Sequence, residues 1–240
     1  MAAPSAPPAE DWFAQRMGRL SQLAARYEIR PDFVARLRQL EQYEIVMVLD
    51  DSGSMNTPVA NAVAGTNPYA RQSTRWDELR HYASIVVDLG AALDPSGVDL
   101  YFLNRPPIFN VSAFEQVQHA FTPPPAGFTP LSRVTRGVLT SLAPALAEKR
   151  VLLVIATDGQ PTDDVGTTRI AEFVNVLKQR NPNVLVSLLA CTDDESQGSW
   201  INAVDATVPG VDSCDDYASE RREVQRSQGQ AFAFSFGDCA

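Results

Sequence analysis

The chain has 240 residues, 45% of them hydrophobic, and a formal net charge of −9. That size and apolar content suffice for one large domain with a full core, and no run approaches the roughly 20 apolar residues of a membrane-crossing helix. The negative balance speaks against a nucleic-acid surface, which needs clustered Lys and Arg to release counterions.

The start, "MAAPSAPPAE", is poor in apolar surface and is expected to fray over residues 1–10. It lacks the basic start and apolar run of a secretion signal, so a cytoplasmic location is the expectation. Residues 11–42 read as a helical hairpin. Phe13, Met17, Leu20, Ala24 and Tyr27 follow a four-three spacing, and Phe33, Leu37 and Leu40 repeat it after "EIRPD". The hairpin is predicted to dock as an extension on the domain that follows, residues 43–240.

From there, short β-branched runs alternate with segments of helical period, the pattern of crossover units in a mostly parallel sheet. "EIVMVLD" (44–50) is apolar on successive positions, as in a strand covered on both faces. The Asn-, Pro- and Gly-rich stretch 56–72 is a long loop for a compact domain. Trp76, Leu79, Ala83, Val86 and Leu93 then share one helical stripe, behind a capping-box start of Thr74 with Asp77. "DPSG" ends that helix, and "VDLYFLN" (98–104) gives a second strand. Two prolines confine "PPIFNVS" to a sheet edge.

Leu131, Val134, Val138 and Leu142 form the next helix, with Pro130 suited to its first position and Pro144 ending or kinking it. "RVLLVIATDG" (150–159) is another buried strand, followed by an amphipathic helix with Ile170, Phe173, Val174 and Leu177 inward. "NVLVSLLACT" and "AFAFSF" are read as the last two strands, separated by a helical "GSWINAVDATV" and a charged "YASERREVQRSQ". The sum is an α/β fold, a doubly wound sheet of about six strands. Cys191, Cys214 and Cys239 suit reduced thiols better than a disulfide framework.

Ligands of such sheets collect at the carboxyl ends of the strands. Asp50 closes the first strand, with Ser52 and Ser54 alternating beyond it, and the strand "VLLVIAT" finishes in Asp158-Gly159. If these two strands are neighbours, Asp50 and Asp158 face one point, and Thr129 offers a hydroxyl from a third loop. All five are hard oxygen donors, suited to Mg²⁺, Mn²⁺ or Ca²⁺. Neutral hydroxyls compensate a divalent cation poorly. Bound through them, with the aspartates holding waters, such an ion keeps an open position that favours an outside carboxylate.

"DDSGS" reads as the Asp-x-Ser-x-Ser element of the von Willebrand factor type A domain. "GFTPLSR" resembles that family's threonine loop and "IATDG" its second aspartate loop, in the family's order. The resemblance covers residues 43–240 and leaves the hairpin outside. It implies a strand order of 3-2-1-4-5-6 with one antiparallel edge strand. It also implies a metal-ion-dependent adhesion site, with Asp50, Ser52, Ser54, Thr129 and Asp158 as metal ligands. The family's usual activity is then implied as well: binding a protein partner's Asp or Glu through the ion, without covalent chemistry. Asp51 is an extra carboxylate where the family often has an uncharged residue, and it is expected to point to solvent. The chain stops at "GDCA" where the family has a closing helix, which points to a truncated C-terminus.

Other readings fit less well. An aspartyl phosphotransferase looks like Asp-x-Asp, but here the third position is Ser52, and the adjacent Asp50 and Asp51 point to opposite faces of an extended strand. No phosphate-binding GxxxxGK[ST] occurs. His81 and His119, the only histidines, have no sequence tie to Ser52 or Ser54, and hydrolysis by a metal-bound water lacks a marked general base. The rival is an intracellular scaffold that works through the hairpin or the acidic C-terminal face and uses the metal structurally.

Overall fold

The first apolar run forms β1 (Tyr43–Leu49), and its alternating side chains serve two cores. The computed structural model describes residues 9–59, 73–192 and 195–214. Ile45, Met47 and Leu49 face one side of the sheet, together with Trp76, Leu79 and Ala83. Val46 and Val48 face the other, with Leu131, Val138, Phe173 and Leu177. A strand buried on both faces is why the run reads as continuously apolar.

The remaining strands are β2 (Val98–Phe102), β3 (Ile108–Val111), β4 (Arg150–Thr157), β5 (Val184–Ala190) and β6 (Val211–Cys214). Their order is β3-β2-β1-β4-β5-β6, the doubly wound arrangement expected. Every pairing is parallel except β2 with β3, where the edge strand runs antiparallel. Leu49 pairs with Phe102 on one side and Ala156 on the other, so β1 and β4 end level. That register places Asp50 beside Thr157.

The sixth strand differs from the expectation. β6 is "VDSC", four residues with two polar members, too short for a period-2 signal and ordered by its register on β5 from Val186 with Val211 to Leu189 with Cys214. The segment "AFAFSF" lies outside the described residues, as does 60–72 of the long loop. The base of that loop is closed by an antiparallel bridge between Pro58 and Thr74.

The helices are α1 (Ala9–Arg26), α2 (Pro31–Leu37), α3 (Arg75–Leu93), α4 (Leu131–Ser141), α5 (Ile170–Lys178) and α6 (Glu195–Asp205). α3 carries the expected capping box, with Thr74 Oγ1 accepting from Asp77 N and Asp77 Oδ2 accepting from Thr74 N. It buries more than one stripe. Ile85, Leu89, Ala92 and Leu93 pack against Leu20, Leu23, Ala24 and Ile29 of the N-terminal hairpin. The Tyr27 hydroxyl donates to Asp88 Oδ2 at 2.6 Å and Arg16 Nε to Ala92 O at 2.9 Å, fixing α1 along α3. Pro130 sits one residue before α4, at φ −76° and ψ 53°, and not at its first helical position; its placement turns the chain so that Leu131 N reaches Thr129 O at 2.7 Å.

Candidate metal centre

The loop after β1 is a short helical turn held by Met55, which is fully buried. Met55 N bonds Ser52 O at 3.2 Å and Thr57 N bonds Ser54 O at 2.9 Å. With its methionine pinned in the core, this turn presents both serine hydroxyls to the end of β4. Ser52 and Ser54 Oγ lie 3.1 Å apart, and Ser54 Oγ donates to Asp158 Oδ1 at 2.7 Å. Asp50 accepts from Ser52 N at 2.8 Å through Oδ1 and from the Thr157 hydroxyl at 2.5 Å through Oδ2. Asp50, Ser52, Ser54 and Asp158 therefore stand in one connected polar cluster at the carboxyl ends of β1 and β4.

Thr129 arrives on a third loop that backbone bonds tie to the first. Gly53 N donates to Gly127 O at 3.1 Å and Ala126 N to Asp51 O at 2.8 Å. Gly127 adopts φ +103°, and a Cβ there would lie 2.6 Å from Asn104 Oδ1, so both the turn and the close approach call for glycine. Thr129 is buried beside the Asp158 loop, its Oγ1 3.9 Å from where a Cβ on Gly159 would sit. Thr129 N donates to Thr162 Oγ1 at 3.0 Å, and Thr162 N donates back to Thr129 O at 2.8 Å, fixing the threonine loop on the segment after β4.

Burial of two carboxylates in one place raises the cost of charge. Asp50 is fully buried, and its pKa is pushed up to about 7, first by desolvation and then by the charge of Asp158. A hard dication would offset that penalty, and two carboxylates with three hydroxyls suit Mg²⁺, Mn²⁺ or Ca²⁺. Among the described residues no group of three or more His, Cys, Asp and Glu side chains is placed to hold a metal ion, so an ion here would rely on the hydroxyls together with the two carboxylates. The donor set fits a hard divalent ion.

Asp51 corrects the solvent-facing expectation. It is fully buried on the opposite side from Asp50, where Oδ1 accepts from Asn104 N at 2.8 Å and from Asn104 Nδ2 at 3.2 Å. Its Oδ2 forms an ion pair with Arg105 Nε at 3.0 Å, close in distance though not aligned as a hydrogen bond. Arg105 also donates to Pro123 O and Pro124 O and lies 5.0 Å over the Trp76 ring. Asp51 thus braces the loop that carries Thr129.

Two contributors had no signal in sequence. The Thr157 hydroxyl holds Asp50, and Arg75 NH1 forms a 3.0 Å ion pair with Asp158 Oδ2. Each belongs to a segment whose helical or strand pattern hides the role of its last or first residue. At the rim, Phe128 is 51% exposed and Val165 77% exposed. Gly166, at φ +86°, backs onto the Phe128 ring, where a Cβ would strike Cε1 at 2.7 Å, so the two loops meet there.

Neither a family profile nor a curated protein matches the sequence. Among solved structures, the pilus adhesin SpaC from Lactobacillus rhamnosus GG is similar at 14% identity and a TM-score of 0.50, covering 78% of this chain and 30% of that one. The chain therefore spans under a third of that adhesin's length. Manganese-loaded TRAP protein of Plasmodium vivax is similar at 14% identity and a TM-score of 0.46, covering 78% of this chain and 73% of that one. At such identity the adhesin likeness speaks to fold alone. That likeness and the sheet order agree on a doubly wound α/β fold.

Proposed function

We propose that the chain is a metal-dependent protein-interaction domain that captures a partner's Asp or Glu and turns over no substrate. The observation carrying this is the polar cluster that joins Asp50, Ser52, Ser54 and Asp158 across two strand ends, with Thr129 beside it. Ser52 and Ser54 would hold the ion directly, Asp50 and Asp158 would fix it mainly through water, and Thr129 would join as the partner binds. Bound there, Mg²⁺, Mn²⁺ or Ca²⁺ would supply an electrophilic position for an outside carboxylate.

The exposed Phe128 and Val165 support a protein partner, since they offer apolar surface beside the polar cluster. The hairpin at 11–42 belongs, in this proposal, to the same cytoplasmic protein as an accessory to the domain at 43–240. Its apolar face is spent on α3, which weakens the scaffold alternative that would use that face for a partner. No described helix is long and apolar enough to cross a membrane. The test is affinity capture in Mg²⁺ and in EDTA, with Asp158→Ala as control. Capture that requires both the ion and Asp158 supports the proposal, and metal-insensitive capture favours the scaffold.

A further inference from the structure

We infer that Arg75 is a built-in counter-charge at the candidate centre, competing with the divalent ion for Asp158 and so weakening the site's hold on that ion. This rests on the metal-binding proposal above and adds a regulator to it.

The geometry is direct. Arg75 NH1 lies 3.0 Å from Asp158 Oδ2, with the arginine side chain 13% exposed and the carboxylate fully enclosed. The other Asp158 oxygen takes the Ser54 hydroxyl. Arg75 is also fixed in place. It opens α3 behind the Thr74 and Asp77 capping box, its own N–H donates to Thr57 O at 3.1 Å, and the next residue, Trp76, is buried with Nε1 donating to Phe121 O at 3.2 Å. A cation in the first turn opposes the helix dipole, so helix stability does not explain an arginine there. The pairing with Asp158 does.

Asp51 and Arg105 cancel each other on the far side of the strand end. Among the described residues, what remains at the cluster is two carboxylates, Asp50 and Asp158, with the Arg75 guanidinium paired to Asp158. With both carboxylates ionised, the state that a bound cation favours, these groups carry a single net negative charge, which a divalent ion would turn into a single positive one. A partner carboxylate would then bring the assembly to neutrality. Without Arg75 the ion alone would achieve neutrality, and the incoming carboxylate would add an unmatched charge. Arg75 thus shifts affinity away from the free ion and toward the pair of ion and acidic partner.

The test is calorimetric titration of the 240-residue chain with Mn²⁺, comparing wild type, Arg75→Gln and Arg75→Lys, with circular dichroism checking the fold. Glutamine keeps a donor and drops the charge; lysine keeps the charge and drops the planar fork. Loss of a unit charge facing a dication at short range is worth roughly ten-fold or more in affinity. Arg75→Gln is therefore expected to bind Mn²⁺ about ten-fold more tightly, and Arg75→Lys to stay within about two-fold of wild type. Equal or weaker binding by a folded Arg75→Gln overturns the inference while leaving the metal site standing. If Arg75→Gln does not fold, Arg75→Lys decides, since a ten-fold loss there would make Arg75 only a positioning residue for Asp158. If none of the three takes up Mn²⁺, the metal-binding proposal falls and this inference with it.

Discussion

Ser54 Oγ donates to Asp158 Oδ1 across 2.7 Å, joining residues 104 positions apart through the ends of two neighbouring strands. The contact follows from the parallel register of β1 with β4, which ends both strands at one level. Any chemistry at this place depends on that register. Replacing Ser54 by Ala removes a donor without changing the core, since the turn is held by Met55. Ion uptake is expected to fall at least ten-fold in Ser54→Ala, with the melting temperature nearly unchanged, in a comparison of Mn²⁺ titration with thermal denaturation.

Asp51 gives a prediction of the opposite kind. Its carboxylate is buried against Arg105 and Asn104, and removing one partner of a buried pair leaves the other charge unmatched. Asp51→Ala is expected to destabilise the fold by about 3 kcal/mol, measured by urea unfolding. A loss below about 0.5 kcal/mol, the range of ordinary surface substitutions, would show that the brace is unimportant.

The hairpin is predicted to stabilise the domain without shaping the site. Leu20 is fully enclosed between α1 and α3. Leu20→Ala should cost about 2–5 kcal/mol by cavity formation, while Mn²⁺ affinity of the folded protein stays as in wild type. Coupled loss of both would place the hairpin within the binding machinery.

Tyr27 offers a pH test of the same docking. Its pKa is raised to about 12 by burial first, and then by the hydrogen bond to Asp88 and that residue's charge. The folded value lies above the unfolded one, so this contribution to stability is complete below pH 10 or so and is lost as pH rises through about 12. Ultraviolet titration should show a late-ionising tyrosine whose signal is lost in Tyr27→Phe. A late-ionising signal left unchanged by Tyr27→Phe would contradict the docking geometry.

Phe128 and Val165 separate partner binding from ion binding. Both are exposed at the rim and neither contributes an oxygen to the cluster. Phe128→Ser with Val165→Ser is expected to weaken Mg²⁺-dependent partner capture several-fold and to leave Mn²⁺ uptake unaltered. Unchanged capture would confine recognition to the carboxylate alone.

The sequence makes the centre of the sheet legible and its margins obscure. β1, β4 and β5 announce themselves because burial on both faces demands unbroken apolar runs. Asp50, Ser52, Ser54 and Asp158 could be placed together because each follows such a run and neighbouring strands end level. β6 escaped because four residues at an edge take their conformation from β5 and carry no period of their own. The second apolar face of α3 was equally hidden, since it exists only to meet α1. Asp51 was misplaced because its partner, Arg105, is 54 positions away and nothing local marks the pair.

Calorimetric titration of the intact chain with Mn²⁺, repeated on Asp158→Ala, tests most directly whether the cluster is a cation site. Uptake of one ion per chain, abolished by the substitution in a protein that still folds, is the predicted result. Absence of uptake by the wild-type chain, or equal uptake by Asp158→Ala, would contradict it.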